Sequence, residues 1–323
     1  MKYYSLILFA LLFSSVSFAQ QPDTLIRKLD SLSNKADSAG GQINNINEDA
    51  YNYKTKINVP TYFILLGSDL KQQFTAPFHL KGKDWKKVGI FAVGMGALAL
   101  VDEPIQRSAV KFRSKSQTVR SVSKYVTNFG GAYEGYTLAA LGTYGLLFKN
   151  EKVKTTTLLA TQAYITGAVS FSVLKFLTGR QRPNTYNPVT KESEPKFHGP
   201  FYKTGYDING RHISSTSFPS GHTTVAFAAA TVYAMEYRDK PFIPFLAYSA
   251  ATLIGISRIT EDRHWATDVL AGAALGLLTG RQVVNNYHRY AKLKAPNQKK
   301  NTVTFTMQYQ HGTVMPGLVY KFR

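Results

Sequence analysis

Residues 155–177 read TTTLLATQAYITGAVSFSVLKFL. The run is long enough for a helix that crosses a bilayer. It also carries Gln162 and several Thr and Ser, so it equally fits a helix buried in a bundle. Lys175 stands at its end, and Pro183 marks a chain that has left the helix. Apolar helical segments recur at Trp85–Val101, Gly135–Phe148, Thr223–Tyr237, Pro241–Ser257 and Ala266–Val284. Basic or Pro/Gly-marked breaks such as Lys149–Lys152 and Arg238–Pro241 separate them. The pattern predicts an all-α fold, a bundle of about six core helices.

The two ends differ from this core. Lys2, the apolar run Leu6–Phe13 and the small residues Ser17 and Ala19 read as an export signal over residues 1–19, with cleavage after Ala19. A retained anchor is the alternative. Residues 20–58 are polar and rich in Asn, Asp, Ser and Lys, as expected of a linker. The helical domain then runs over 59–295. At the C-terminus, Val303, Phe305, Met307 and Tyr309 alternate with polar residues, and so do Val314, Leu318, Tyr320 and Phe322. His311-Gly312 lies between them. Residues 296–323 are therefore predicted to form a β-hairpin.

The chain has 323 residues, with 39 Lys+Arg against 19 Asp+Glu, a formal net charge of +20. Such a surplus suits nucleic acid, an anionic membrane surface or an anionic substrate. No zinc-finger spacing or RNA-binding aromatic signature is present, so no nucleic-acid partner is expected. The sequence contains no cysteine, which excludes disulfides, thiol nucleophiles and thiolate metal sites.

Three short stretches carry the chemistry. They are Lys175 to Arg182-Pro183, then Pro219-Ser220-Gly221-His222, then Ser257-Arg258 followed by His264 and Asp268. Lys175, Arg182 and Arg258 can converge on one anion, the arginines as forks and the lysine as a point charge. Cations so placed stabilise the charge on a transferring phosphoryl group. Ser220 and Gly221 precede an apolar helical run whose first backbone N–H groups favour anions. His264 and Asp268 are four residues apart, which on a helix puts them on one face. A carboxylate on one imidazole nitrogen leaves the other nucleophilic, and His222 is then the candidate acid for the leaving group.

These stretches, K-x6-RP, PSGH and SR-x5-H-x3-D, resemble the signature of the type-2 phosphatidic acid phosphatase and vanadium haloperoxidase superfamily. Eleven identities agree in order and spacing, for which chance odds are far below about one in a million. The resemblance covers roughly residues 85 to 290 and leaves out the linker and hairpin. It implies a phosphatase-like helical domain in which His264 attacks phosphorus, Asp268 orients it and His222 is the general acid. Lys175, Arg182, Ser220, Gly221 and Arg258 would bind phosphate. Phosphatase members need no metal or other cofactor. Vanadate is expected as an inhibitor, and as a cofactor only in a haloperoxidase.

Other candidates read more plainly. Arg180 and Arg263 match no fixed motif position and are expected to be solvated neighbours. His79, His198, His212, His288 and His311 lack paired spacing and are expected at the surface or satisfied in the core. The long segment 184–218 joins the phosphate-binding arginine to the general-acid turn. Its Lys, Phe and Tyr residues suggest a lid that sets specificity.

The expected substrate is a phosphate ester or diphosphate of a lipid, met at an anionic membrane surface in a bacterial cell envelope. A soluble nonspecific acid phosphatase, a vanadate-dependent haloperoxidase and a non-catalytic envelope scaffold are the rivals. If six helices span, with the first entering from the cytoplasm, the basic breaks face the cytoplasm and the motifs face the periplasm. A cleaved signal would reverse that count. The protein is thus either a multi-pass inner-membrane protein or a periplasm-facing domain on the membrane.

Overall fold

The computed structural model describes residues 25, 27–29, 31, 50–186, 189, 193–202, 204–214, 216–294, 302–310 and 313–321. The expected export signal lies outside them. The chain divides into two units, Met1–Gly41 and Gln42–Arg323. Residues 25, 27–29 and 31 of the first are helical.

The second unit is all-α apart from two small hairpins. Its helices are α1 (Val59–Thr75), α2 (Gly82–Ala99), α3 (Asp102–Ser114), α4 (Gln117–Phe129), α5 (Ala132–Leu147), α6 (Glu151–Thr178), α7 (Gly221–Glu236), α8 (Phe242–Thr260) and α9 (Ala266–Lys294). Strands β1 (Thr204–Tyr206) and β2 (His212–Ser214) pair antiparallel. Strands β3 (Thr302–Gln310) and β4 (Thr313–Lys321) form the expected C-terminal hairpin, in a register that sets Gln310 opposite Thr313.

The core is an up-down arrangement of α6, α7, α8 and α9, with α7 packed against the other three. The reason for its tightness is written in α9. Gly272, Gly276 and Gly280 recur every fourth residue, so all three face one way. A Cβ on them would stand 2.6, 2.3 and 2.4 Å from the carbonyl oxygens of Ser220, Thr224 and Ala228 on α7. Only bare glycine lets the two backbones approach this closely.

Three helices were not expected. Helix α1 buries polar Ser68, Asp69 and Gln72, so its inner face does not look apolar in the sequence. Hydrogen bonds to α9 hold it instead: Gln72 Nε2 donates to Asn286 Oδ1 at 3.1 Å, and Asn286 Nδ2 donates to Asp69 Oδ1 at 2.9 Å. Helices α3 and α4 occupy the basic stretch after Val101. Their caps are local, with Asp102 and Glu103 in the first turn of α3 and Ser116 accepting from the Val119 N–H at the start of α4.

Two further expectations need correction. The linker was expected to reach residue 58, but Tyr51, Thr55 and Ile57 are buried. Tyr51 donates its hydroxyl to Glu236 and stacks on Tyr287, so the folded unit begins before α1. The segment Trp85–Val101 was counted among the bundle helices, as either a borderline span or a buried helix, and only the buried alternative falls. Helix α2, which covers most of it, buries no residue; Ile90 is 75% and Val93 74% exposed. Among the described residues, α6 and α8 are long and apolar enough to cross a membrane. Helices α2 and α3, bent by 58° at their junction, pass together as a broken span. Apolar Phe242, Phe245, Leu246 and Leu253 of α8 also face outward. Outward apolar surface on this scale marks a membrane-associated protein.

Candidate active site

All three sequence motifs meet at one end of the four-helix core. Helix α6 ends there with Lys175, α7 begins there with Gly221 and His222, α8 ends there with Arg258, and α9 begins there with Asp268.

Local backbone explains the placement of each cation. Helix α6 stops at Gly179, which takes a left-handed conformation with φ 51°. A Cβ at that position would lie 2.0 Å from the Gly199 carbonyl oxygen, so only glycine fits. The chain then runs extended through Arg180, Gln181 and Arg182, bridged to Phe197 on one side and Thr216 on the other. Alternation along this segment puts Arg180 and Arg182 on one face. Lys175 Nζ donates to the carbonyl oxygens of Thr216 and Ser217 at 3.1 and 3.0 Å, and Arg182 Nε donates to the same Thr216 carbonyl at 3.1 Å. Two cations are thereby held side by side by one stretch of backbone. Arg258 is buried at the end of α8, with Nη1 3.4 Å from the Thr127 hydroxyl of α4.

The PSGH turn is pinned from beneath. The Ser220 N–H donates to the Asp268 backbone carbonyl at 2.9 Å, and Ser220 Oγ accepts from Thr223 Oγ1 at 2.8 Å. Gly221 faces the Phe171 ring, where a Cβ would stand 3.0 Å away. His222 occupies the first turn of α7. Gly130 and Gly131, between α4 and α5, press against it, and a Cβ on Gly131 would lie 3.2 Å from His222 Nε2.

His264 and Asp268 are together, though not on one helix. His264 sits in the turn before α9, where its N–H and that of Arg263 donate to the Arg258 carbonyl. Asp268 is in the first turn of α9 and accepts from the Trp265 N–H at 2.9 Å, half of a capping box. That contact folds the turn so that His264 Nδ1 lies 3.5 Å from Asp268 Oδ2. At this separation the two are neighbours and not hydrogen-bonded, and Nδ1 has no hydrogen-bond partner among the described residues.

Arg180 corrects the sequence reading most. It was expected to be solvated, but it is only 2% exposed. Its Nη1 donates to Asp268 Oδ1 at 2.6 Å and its Nη2 to Asp102 Oδ2 at 2.8 Å. Phe197 and Trp265 lie against its guanidinium, with ring centroids 4.9 and 5.8 Å away. Asp102 also accepts from the Thr267 N–H at 3.0 Å. Ser217 donates its hydroxyl to Asp268 Oδ2. Asp268 is therefore gripped by Arg180, Ser217 and the Trp265 N–H, and Arg180 is gripped in turn by Asp102. Asp102, Ser217 and Thr267 had no signal in spacing.

The electrostatics follow from three cations gathered around two histidines. Burial, then Arg258, Arg182 and Lys175, pull His222 down to about 4. Burial and the same three cations, with His222 as a further contribution, hold His264 well below its ordinary value. Burial and Arg263 lower Arg182. Both histidines feel the same three cations, as expected where these groups converge.

The segment 184–218 is not a free lid. The Gln181 N–H donates to the Lys196 carbonyl at 2.8 Å, the Ser217 N–H to the Arg180 carbonyl at 2.8 Å, and His198 stacks on Tyr202. Its described parts are stitched into the site at both ends.

Residues 155–291 match the family model described as the PAP2 superfamily. All eight motif side chains fall within that range. The chain is similar to a lipid A 1-phosphatase of Porphyromonas gingivalis, 50% identical over 68 residues that make up 21% of this chain and 15% of the relative. It is also similar to a lipid A 4'-phosphatase of the same organism, 30% identical over 38% of this chain and 51% of the relative. The chain thus spans about half the length, or less, of these curated relatives. Among solved structures, a transmembrane PAP2-type phosphatidylglycerolphosphate phosphatase from Bacillus subtilis aligns with 24% identity and a TM-score of 0.42, over 62% of this chain and 94% of the other.

Proposed function

We propose that this chain, which carries a PAP2 superfamily domain over residues 155–291, hydrolyses phosphate esters of lipids through a phosphohistidine at His264. The observation that carries the reading is the convergence of Lys175, Arg182 and Arg258 on two histidines, one backed by Asp268 and the other at a helix N-terminus. The relatives' names point to lipid phosphates, and the outward apolar helices give such a substrate a route to the site.

The steps follow from the residues. A phosphate dianion enters between Lys175, Arg182 and Arg258, with Gly221 and His222 offering N–H groups from the first turn of α7. Its charge offsets the field that holds His222 unprotonated, so His222 gains a proton as the substrate binds. His264 uses the lone pair of Nε2 to attack phosphorus while Nδ1 turns to Asp268, closing the 3.5 Å gap. The bond from phosphorus to the ester oxygen breaks as His222 gives that oxygen its proton. Water then attacks the phosphohistidine and loses a proton to His222. The P–N bond breaks, and phosphate leaves with His264 restored. The arginines and lysine supply the positive charge throughout, so no metal is invoked, and EDTA should leave activity intact. Vanadate, which mimics the five-coordinate phosphoryl group, should inhibit.

The membrane orientation belongs to the same proposal. The site faces the periplasm of a bacterial envelope, and the opposite end, with Lys149, Lys152, Lys154, Arg238 and Lys240, faces the cytoplasm.

The test is a trapping experiment. Brief reaction of the protein with radiolabelled phosphatidate and an alkaline quench should leave acid-labile phosphate on the protein. His264→Ala should carry none and lose at least a thousandfold in turnover, with vanadate still bound by the cations. Near-normal turnover by His264→Ala would refute the assignment.

A further inference from the structure

A second cavity lies one helical turn beneath the phosphate site. It has a volume of about 330 Å³ and is enclosed by α4, α5, α7 and α8. On α7 its upper wall is Ala226, four residues after His222; on α8 it is Ile254, four residues before Arg258. It thus lies one helical turn from His222 on α7 and from Arg258 on α8. Small side chains, among them Ala229, Ala230, Ala250 and Ala251, keep it open. Phe129 and Leu253 at its edge are more than half exposed, so the cavity opens to the protein's apolar outside.

Its lining is apolar except in a few places, and one of them stands out. Glu134, in the first turn of α5, is 7% exposed, and neither carboxyl oxygen has a hydrogen-bond partner among the described residues. Burying a carboxyl in apolar surroundings without a partner is costly. As the neutral acid, such a carboxyl can both donate and accept a hydrogen bond. Glu134 comes three residues after Gly131, which touches His222. The unpartnered carboxyl therefore lines the cavity from the first turn of the helix that begins beside His222.

We propose that this cavity receives the hydrocarbon chain of the lipid phosphate, and that Glu134 hydrogen-bonds an oxygen carried near the head of that chain, an ester, amide or hydroxyl oxygen. A plain alkyl chain would leave the carboxyl unsatisfied, whereas a chain with such an oxygen satisfies both partners. The site thus selects acylated lipid phosphates over simple alkyl phosphates of equal length. This rests on the phosphatase reading above and adds a specificity residue to it.

The experiment compares three substrates: phosphatidate, dodecyl phosphate and p-nitrophenyl phosphate. Only the first has chain oxygens near the phosphate, and the last has no chain. Glu134→Leu should lower kcat/KM on phosphatidate at least tenfold more than on either other substrate, and Glu134→Gln should recover most of that loss. Ala250→Trp, at the exposed edge, should lower both chain-bearing substrates relative to p-nitrophenyl phosphate. Equal losses on all three for Glu134→Leu, or no loss on phosphatidate, would overturn the role of Glu134. Undiminished lipid turnover by Ala250→Trp would overturn the cavity as the chain site. If the wild-type protein releases phosphate from none of the three, it is the phosphatase reading that falls.

Discussion

At the scale of single residues, the site depends on a chain of charges reaching beyond its motifs. Asp268 orients the nucleophile only if its own carboxylate is held, and Arg180 holds it at 2.6 Å. Asp102 fixes Arg180 from α3. Asp102→Asn keeps shape and removes charge, so the Arg180 fork loosens and Asp268 can rotate. Outer partners of this kind are worth about 10- to 100-fold in activity. We expect kcat to fall by that order while vanadate affinity stays near wild type, because Lys175, Arg182 and Arg258 are untouched. Parallel loss of both would mean a fold defect, and no loss of kcat would remove Asp102 from the site. A second expectation concerns pH. Burial and three cations oppose the charge of His222 and hold it down to about 4. A bound dianion reverses that opposition and raises its pKa. Binding then takes up a proton at every pH between about 4 and the raised value. Sulfate, a dianion across the range, should therefore bind more tightly as pH falls from 8 to 5. The slope should become shallower in His222→Ala, without vanishing, because His264 and Lys175 face the same anion. Titration calorimetry across that range checks it, and a flat wild-type profile would contradict the coupling.

At the scale of elements, the glycine ridge of α9 sets the distance between α7 and α9. Through it, the ridge sets the distance between the PSGH turn and Asp268. Gly272 lies against Ser220 itself, so the same packing that closes the core positions the phosphate turn. The elements also make the proposed orientation in the membrane testable. The ends of α5 and α7 opposite the site carry Lys149 and Arg238, while the β1–β2 turn with Ile208 lies in the segment stitched to the site. The natural chain has no cysteine, so single cysteines report without background. Ile208→Cys should react with a membrane-impermeant maleimide in spheroplasts, and Asp239→Cys only after lysis. The reverse pattern would invert the orientation, and labelling of both before lysis would argue against spanning helices.

At the scale of the whole molecule, an apolar exterior surrounds a core that is unusually polar. Gln162, Thr166, Ser170, Thr223, Thr224 and Asn286 are buried, while Trp85, Ile90, Phe242 and Phe245 face outward. The helical class was legible because 3.6-residue patterning and Pro/Gly breaks are local properties of the chain. The eight motif side chains were legible because each lies within a few residues of its motif partners, at a spacing the chemistry requires. The hairpin was legible from its period of two. Helix α1 was not, since its polar inner face makes sense only against Asn286 on α9, more than two hundred residues away. Nor was the exposure of α2, because an apolar segment reads alike whether it faces a core or a lipid. Arg180 looked like a spare surface charge until Asp102, Asp268, Phe197 and Trp265 closed around it. Glu134 carried no motif at all. The chemistry of this protein is thus contained in short motifs, whose residue types and spacing are set by the sequence alone. Bringing the three motifs together, holding them rigid and shaping the cavity beside them depend on burial and on contacts between distant segments, which exist only once the chain has folded.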